Sequence, residues 1–190
     1  MGPDAEQALS RLAGRMRRCT QCPLHQGRRH AVPGEGPAGA RAMLIGEAPG
    51  AKEDELGRPF CGLSGRFLDK TLAALGMDRG ELFITSSVKC RPPGNRTPHR
   101  DELATCRRLW LMPQMDLIGP EVVVLLGKVP IGQVLGEQGS LNDLHGQVRQ
   151  EAGRRYLLTY HPAAAMRFPG PMAAILRDLR KLKRLLGAGG

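Results

Sequence analysis

Apolar residues recur along this chain in two rhythms. Four short runs, Ala42-Met43-Leu44-Ile45, Leu82-Phe83-Ile84-Thr85, Val122-Val123-Val124-Leu125-Leu126 and Tyr156-Leu157-Leu158-Thr159-Tyr160, have strand length and are rich in branched or aromatic side chains. A run that is apolar throughout suits the middle of a parallel sheet, where both faces are covered. Elsewhere the spacing changes to threes and fours, which is helical. Ala8, Leu9, Leu12 and Met16 make one such stripe, and Phe67, Leu68, Leu72 and Leu75 make another. Residues 99–118, a short stretch ending at Leu135 and a basic segment over 172–186 complete the set. Pro113 falls inside the 99–118 pattern and predicts a kink or a split there. Strands alternating with helices predict one α/β domain over residues 1–190, three-layered α/β/α around a mainly parallel four-stranded sheet. No repeat and no second domain are visible.

That architecture fixes where chemistry belongs. In open α/β sheets ligands bind beyond the carboxyl ends of the strands. Residues 47–50, 86–95 and 161–167 each follow a strand end directly, so they are expected to converge on one rim.

Charge narrows the partner. Twenty-eight Lys and Arg against 18 Asp and Glu give the 190 residues a formal charge of +10. A surplus of that size fits a polyanion, nucleic acid or an acidic membrane face, although a well-solvated basic surface has the same composition. No stretch approaches the ~20 apolar residues that span a bilayer, and the N-terminal segment lacks the apolar run of a secretory signal. A cytoplasmic protein with reduced thiols is expected.

In that setting the five cysteines point to metal or reactivity before disulfides. Cys19 and Cys22 form a CxxC pair, and Cys90 and Cys106 stand far downstream among the basic residues Lys89, Arg91, Arg107 and Arg108. A CxxC loop presents two thiolates to one centre. Spacing leaves zinc and an iron–sulfur cluster both open. The plainer reading makes Cys90 or Cys106 a buried small hydrophobe; the CxxC and the basic flanks favour a four-cysteine centre. Cys61 stands apart from it.

Three segments then carry a resemblance. Residues 46–60 (GEAPGAKEDELGRPF), 88–98 (VKCRPPGNRTP) and 161–167 (HPAAAMR) resemble, in order, the three motifs of family 4 uracil-DNA glycosylases, and the four cysteines fall in matching order and context. The resemblance runs from about Cys19 to Leu186. It implies the uracil-DNA glycosylase-like α/β/α fold and a [4Fe–4S] cluster on Cys19, Cys22, Cys90 and Cys106. It implies that uracil-containing DNA is the partner of a monomeric, monofunctional hydrolase releasing uracil from single- and double-stranded DNA, without a membrane role.

Residue by residue, the resemblance makes Phe60 the ring that stacks under the extruded base and Asn95 the amide on its Watson–Crick edge, with Ser86 beside it. His161 would donate to uracil O2 as charge develops there. Glu47 would orient the attacking water or stabilise the cationic sugar. Backbone N–H groups around Ala48 and Gly50 would contact uracil or a phosphate. Met166 would be the apolar wedge that fills the vacated stack, and Arg167 a phosphate or groove contact. The iron–sulfur region, with its flanking arginines, would order two loops that hold the DNA backbone. Glu53 reads either as a support of its loop or as a solvated charge in the run 52–55. Two positions depart from the family pattern: Ser86 stands where relatives carry Asn, and Cys61 where an aliphatic residue is usual. Two other readings compete. One is a uracil- or damage-binding relative that lacks turnover or becomes trapped on DNA, though the basic, His-containing insertion of the trapping type is missing after Asn95. The other is a metal-stabilised nucleic-acid-binding module.

Overall fold

A computed structural model describes residues 3–187. The chain opens with α1 (Pro3–Arg17), whose Leu9 and Met16 are buried, and then crosses a long loop to β1 (Ala42–Gly46). Next come α2 (Ala51–Leu56), α3 (Leu63–Ala74), β2 (Leu82–Ser86), α4 (Arg100–Cys106) and α5 (Met112–Ile118). The second half runs β3 (Val122–Leu126), α6 (Lys128–Leu135), α7 (Leu141–Leu144), β4 (Val148–Glu151), β5 (Arg154–Thr159), α8 (Pro162–Ala165) and α9 (Pro169–Gly187). The sheet order is β2-β1-β3-β5-β4, with β2, β1, β3 and β5 parallel and β4 antiparallel to β5.

The alternation within each apolar run decides the layers. Leu44, Ile84, Val124 and Leu157 face α3, α8 and α9 through Leu68, Leu72, Ala165, Ile175, Leu179 and Leu182. Their neighbours Met43, Ile45, Phe83, Val123, Leu125 and Leu158 face α1, α5 and α6 through Leu9, Met115, Ile118, Ile131 and Val134. Both faces are thus covered, as the unbroken apolar runs require. On α9 the basic residues Arg177, Arg180, Lys183 and Arg184 are exposed, while Ile175, Leu179 and Leu182 are buried, so the basic residues form the outer face of a packed helix. No helix among the described residues is long and apolar enough to cross a membrane.

Two expectations are corrected. The sheet has five strands, not four. The extra strand, β4, reads Val-Arg-Gln-Glu and lies half-exposed at an edge, where no second apolar face is needed and no apolar run announces it. Its turn to β5 places Ala152 (φ 48°) and Gly153 (φ 75°) in the left-handed region without the Asn-Gly or Asp-Gly that usually marks such a turn. Near Pro113 the interruption falls one turn earlier than the proline. A π-helical turn, Arg107–Leu111, joins α4 to α5. Proline has no N–H to give and its ring crowds the carbonyl four residues back, and the wider turn accommodates both demands without breaking the helix.

Candidate active site and four-cysteine centre

Beyond the carboxyl ends of the parallel strands lies a cleft of about 400 Å³. The three post-strand segments meet there, as expected. Glu47, Ala48, Gly50, Phe60, Ser86, Asn95, His161 and Arg167 all line it, joined by Glu53 and Arg96. Met166 does not; it stands on the outer lip, 45% exposed.

Phe60 is buried, with φ at 49°, a left-handed backbone that costs a β-carbon-bearing residue about 1 kcal/mol or more. Two glycines make the position possible. A β-carbon on Gly65 would lie 1.8 Å from the Phe60 carbonyl oxygen, and one on Gly46 would lie 2.6 Å from the ring. Glu53 holds the same loop: its carboxylate accepts N–H bonds from Gly50 (3.1 Å), Cys61 (2.9 Å) and Gly62 (2.7 Å). Of its two readings, loop support is the one the structure bears. The Gly50 N–H is thereby engaged, whereas the Ala48 N–H meets no acceptor among the described residues.

The Phe60 ring stacks on His161, centroids 5.6 Å apart and 28° from parallel. His161 caps α8, with Nδ1 accepting from the Ala163 N–H at 3.1 Å. An acceptor at Nδ1 places the single proton of a neutral ring on Nε2. Burial keeps the ring neutral by lowering its pKa to about 4. Glu47 is shifted the other way: burial raises its carboxyl above the usual range, against a smaller opposing pull from the Thr97 side chain. Asn95 sits exposed on the rim with φ at 56°, and its Oδ1 accepts from Arg91 Nε at 2.7 Å. One lone pair and both amide hydrogens remain free. Arg91 was not singled out in the sequence for this role, because its partner lies across the Pro-Pro-Gly break. Arg96 is fixed by a two-pronged bond to buried Glu102, which also accepts the His99 N–H.

The second constellation lies on the other side of residues 86–95. Cys19, Cys22, Cys90 and Cys106 surround one small void, closed by Met16, Lys89 and Trp110. Arg28 Nη1 donates to Cys90 Sγ at 2.9 Å and Trp110 Nε1 to Cys19 Sγ at 3.3 Å. Burial raises the Cys22 and Cys90 thiols and pushes Cys106 up to about 12. Such thiols ionise only against a strong positive partner. Lys89 is wholly buried at their edge. Its ammonium donates to Thr85 Oγ1, the Ser86 carbonyl and Gln114 Oε1 at 2.5, 2.9 and 2.9 Å, and burial lowers its pKa to about 8. Among the described residues no three His, Cys, Asp or Glu side chains are grouped to hold a single metal ion. Cys61 is outside this centre, its thiol turned to the Arg58 carbonyl.

Residues 33–180 match the family described as the Uracil DNA glycosylase superfamily. The chain is 41% identical to a type-4 uracil-DNA glycosylase of Pyrobaculum aerophilum over 90% of its own length and 91% of that protein's. It is 38% identical to a type-4 uracil-DNA glycosylase of Saccharolobus solfataricus, covering 95% and 87% of the two chains. With one from Thermotoga maritima the identity is 34%, over 97% and 98%. The chain belongs to the type-4 uracil-DNA glycosylase family.

In this member of the family, Ser86 is buried at the end of β2, lines the cleft, and has its carbonyl held by Lys89. A single chain segment thus touches both constellations, Ser86 and Asn95 in the cleft and Cys90 in the cysteine centre. Beside Met166 the glycosylase fold exposes Phe168 (60%) and Met172 (43%), apolar surface that the sequence motifs did not single out.

Proposed function

We propose that the cleft hydrolyses the N-glycosidic bond of deoxyuridine in single- and double-stranded DNA, releasing uracil and leaving an abasic site. The observation that carries this reading is His161: a neutral imidazole, stacked on Phe60, whose one proton is on Nε2.

The extruded base slides over the Phe60 ring. The Asn95 amide donates to uracil O4 through Nδ2 and accepts N3–H on its remaining lone pair, while Arg91 fixes which way the amide faces. The C1′–N1 bond then breaks with its electron pair leaving on uracil. Negative charge grows on O2, where His161 Nε2–H donates. Because that charge is larger in the transition state than in the substrate, the bond accelerates the reaction rather than merely tightening binding. Glu47, when ionised, stabilises the cationic sugar and directs a water to C1′. The water supplies hydroxyl to the sugar and its proton neutralises the product. Met166 enters the stack that the base has left and Arg167 holds a neighbouring phosphate. Among the described residues no lysine lines the cleft, which supports hydrolysis without a Schiff base and an intact strand.

Cys19, Cys22, Cys90 and Cys106 would hold a [4Fe–4S] cluster. Four thiols from three chain segments around one small void, two of them accepting N–H bonds at sulfur, and the likeness to type-4 relatives support that reading. Bound there, it would supply the charge that lets buried thiolates form and would tie the 19–22 loop to the segment after β2 and to the end of α4; glycosidic hydrolysis transfers no net electrons and would need nothing else from it. The protein acts as a cytoplasmic monomer.

The test is uracil release from uracil-containing oligonucleotides, read by alkaline cleavage at abasic sites. Wild type releases uracil, and Asn95→Ala loses most of that release while thymine in the same position is left untouched by both. An iron-loaded, DNA-binding wild type that releases nothing would sink the reading.

A further inference from the structure

A second cleft, of about 490 Å³, opens beside the first and has no part in the chemistry above. Arg17 from the end of α1, Arg28, Arg29 and His30 from the following loop, and Arg58 after α2 line it. The two clefts share a wall. Ala31 and Arg58 line the basic one, while their chain neighbours Val32 and Pro59 line the uracil cleft.

Its floor is fixed. Asp54 is buried, and its Oδ1 accepts the N–H groups of Arg29 (2.9 Å) and His30 (3.3 Å), while its carbonyl accepts from His30 Nδ1 (2.9 Å). That carboxylate is therefore used on backbone and does not neutralise the arginines. Arg58 is paired with Glu35, and Arg28 is spent on Cys90 Sγ and the Arg17 carbonyl. Arg17 and Arg29 are exposed, and their guanidinium groups make no hydrogen bond or salt bridge among the described residues, although Glu55, itself paired with Lys52, lies within electrostatic reach of Arg29. Two cations without a salt bridge thus stand on a fixed floor next to the cleft that, on the glycosylase reading, accepts one nucleotide of a strand.

We propose that this cleft is a second DNA-backbone site, in which Arg17 and Arg29 bind phosphodiester groups flanking the extruded nucleotide. The proposal rests on the glycosylase reading of the neighbouring cleft. It makes the segment bearing Arg28, bonded to a cysteine of the metal centre, part of the DNA-binding face.

The experiment measures binding to a duplex carrying an abasic site, which is not turned over, across a series of salt concentrations. The double variant Arg17→Gln/Arg29→Gln is expected to bind about tenfold or more weakly at low salt, with the log–log salt slope smaller by about 2, one for each lost phosphate contact. Arg17→Lys/Arg29→Lys is expected to keep most of the slope. Both variants should melt with wild type, since neither guanidinium has an internal partner. An unchanged slope and affinity in the Gln variant overturns the proposal, and so does an equal loss in the Lys variant, which would show that charge was not what mattered. Uracil release by wild type, assayed separately, decides the glycosylase reading on its own. A wild type that fails to release uracil while the Gln variant loses slope would leave the cleft standing without the enzyme.

Discussion

The uracil cleft and the cysteine centre share residues 86–95 yet are held together by opposite means. The cleft is finished by the polypeptide alone. Glu53 satisfies three N–H groups, Gly46 and Gly65 make room for Phe60, and His161 is half-buried against Phe60 in the neutral form that its desolvation favours. The cysteine centre, on the proposed reading, would be completed by a bound cluster. Its thiols are pushed up by burial and a whole lysine ammonium lies buried against them, bonded only to neutral oxygens. The first region is preorganised for chemistry. With the proposed cluster, the second would be a structural joint whose charges balance when thiolates are held.

The contrast predicts that damage to the centre shows first in stability and damage to the cleft first in rate. Cys106→Ala should have the largest effect. It removes one of the two thiolates that face Lys89 and leaves that cation poorly compensated, at a cost of about 3–5 kcal/mol by analogy with broken buried pairs. For a chain of this size that is roughly 10 °C in melting temperature, read by calorimetry alongside iron content. A variant that melts with wild type and keeps full iron would remove the distinction. His161→Ala should lower the single-turnover rate by about 10²–10³, the range for losing one donor to a developing oxyanion, with binding of abasic DNA and melting temperature little changed. A parallel fall in stability and rate would move His161 to the structural side.

The sequence made the cleft more legible than the joint. Four strands could be read because their runs are apolar on both faces, and from the strand ends alone the rim where Glu47, Ser86 and His161 meet followed. β4 was hidden because an edge strand needs no apolar run and its turn uses Ala152-Gly153. The π-helical turn was signalled by Pro113 but displaced from it, since the ring's demand falls on the carbonyl behind. The four cysteines were visible as residue types, whereas the ammonium of Lys89 among them was not: nothing in a Lys-Cys-Arg string says which of its cations turns inward. His161's charge state was equally closed to the sequence, because it depends on burial and on the Ala163 N–H. Arg91, which orients Asn95, was missed because its role exists only once Pro93–Asn95 has turned back.

Glu53→Gln sharpens the boundary, because Glu53 is neither reactant nor ligand. The amide keeps one oxygen for two of the three N–H groups and turns hydrogens toward the third. A loss of about 1.5–3 kcal/mol is expected, the usual worth of hydrogen bonds to a charged group, together with a slower release as Phe60 loosens. Urea unfolding and uracil release should fall together in this variant alone. A loss confined to one of them would place Glu53 with whichever region it followed.

The smallest effect is the acid limb of the pH–rate profile, and it separates two groups within the cleft. His161 is needed neutral. With its pKa lowered from 6.5 to about 4, it stays neutral across most of the acid range. Its contribution to stability has the matching sign: fully present above pH 6.5, it is lost as pH falls toward 4, because the unfolded chain takes up the proton first. Glu47 is needed charged. Its pKa is raised above 4.5 by burial, so its charge, and with it the rate, is lost at a higher pH than His161 titrates. The acid limb therefore belongs to Glu47, with a slope of tenfold per pH unit below its midpoint. Glu47→Gln should be slower throughout and flat on the acid side down to the titration of His161. A limb that survives in Glu47→Gln at the same midpoint would mean that bound DNA reopens His161 to protonation, and the cleft would then owe its preorganisation to something other than burial.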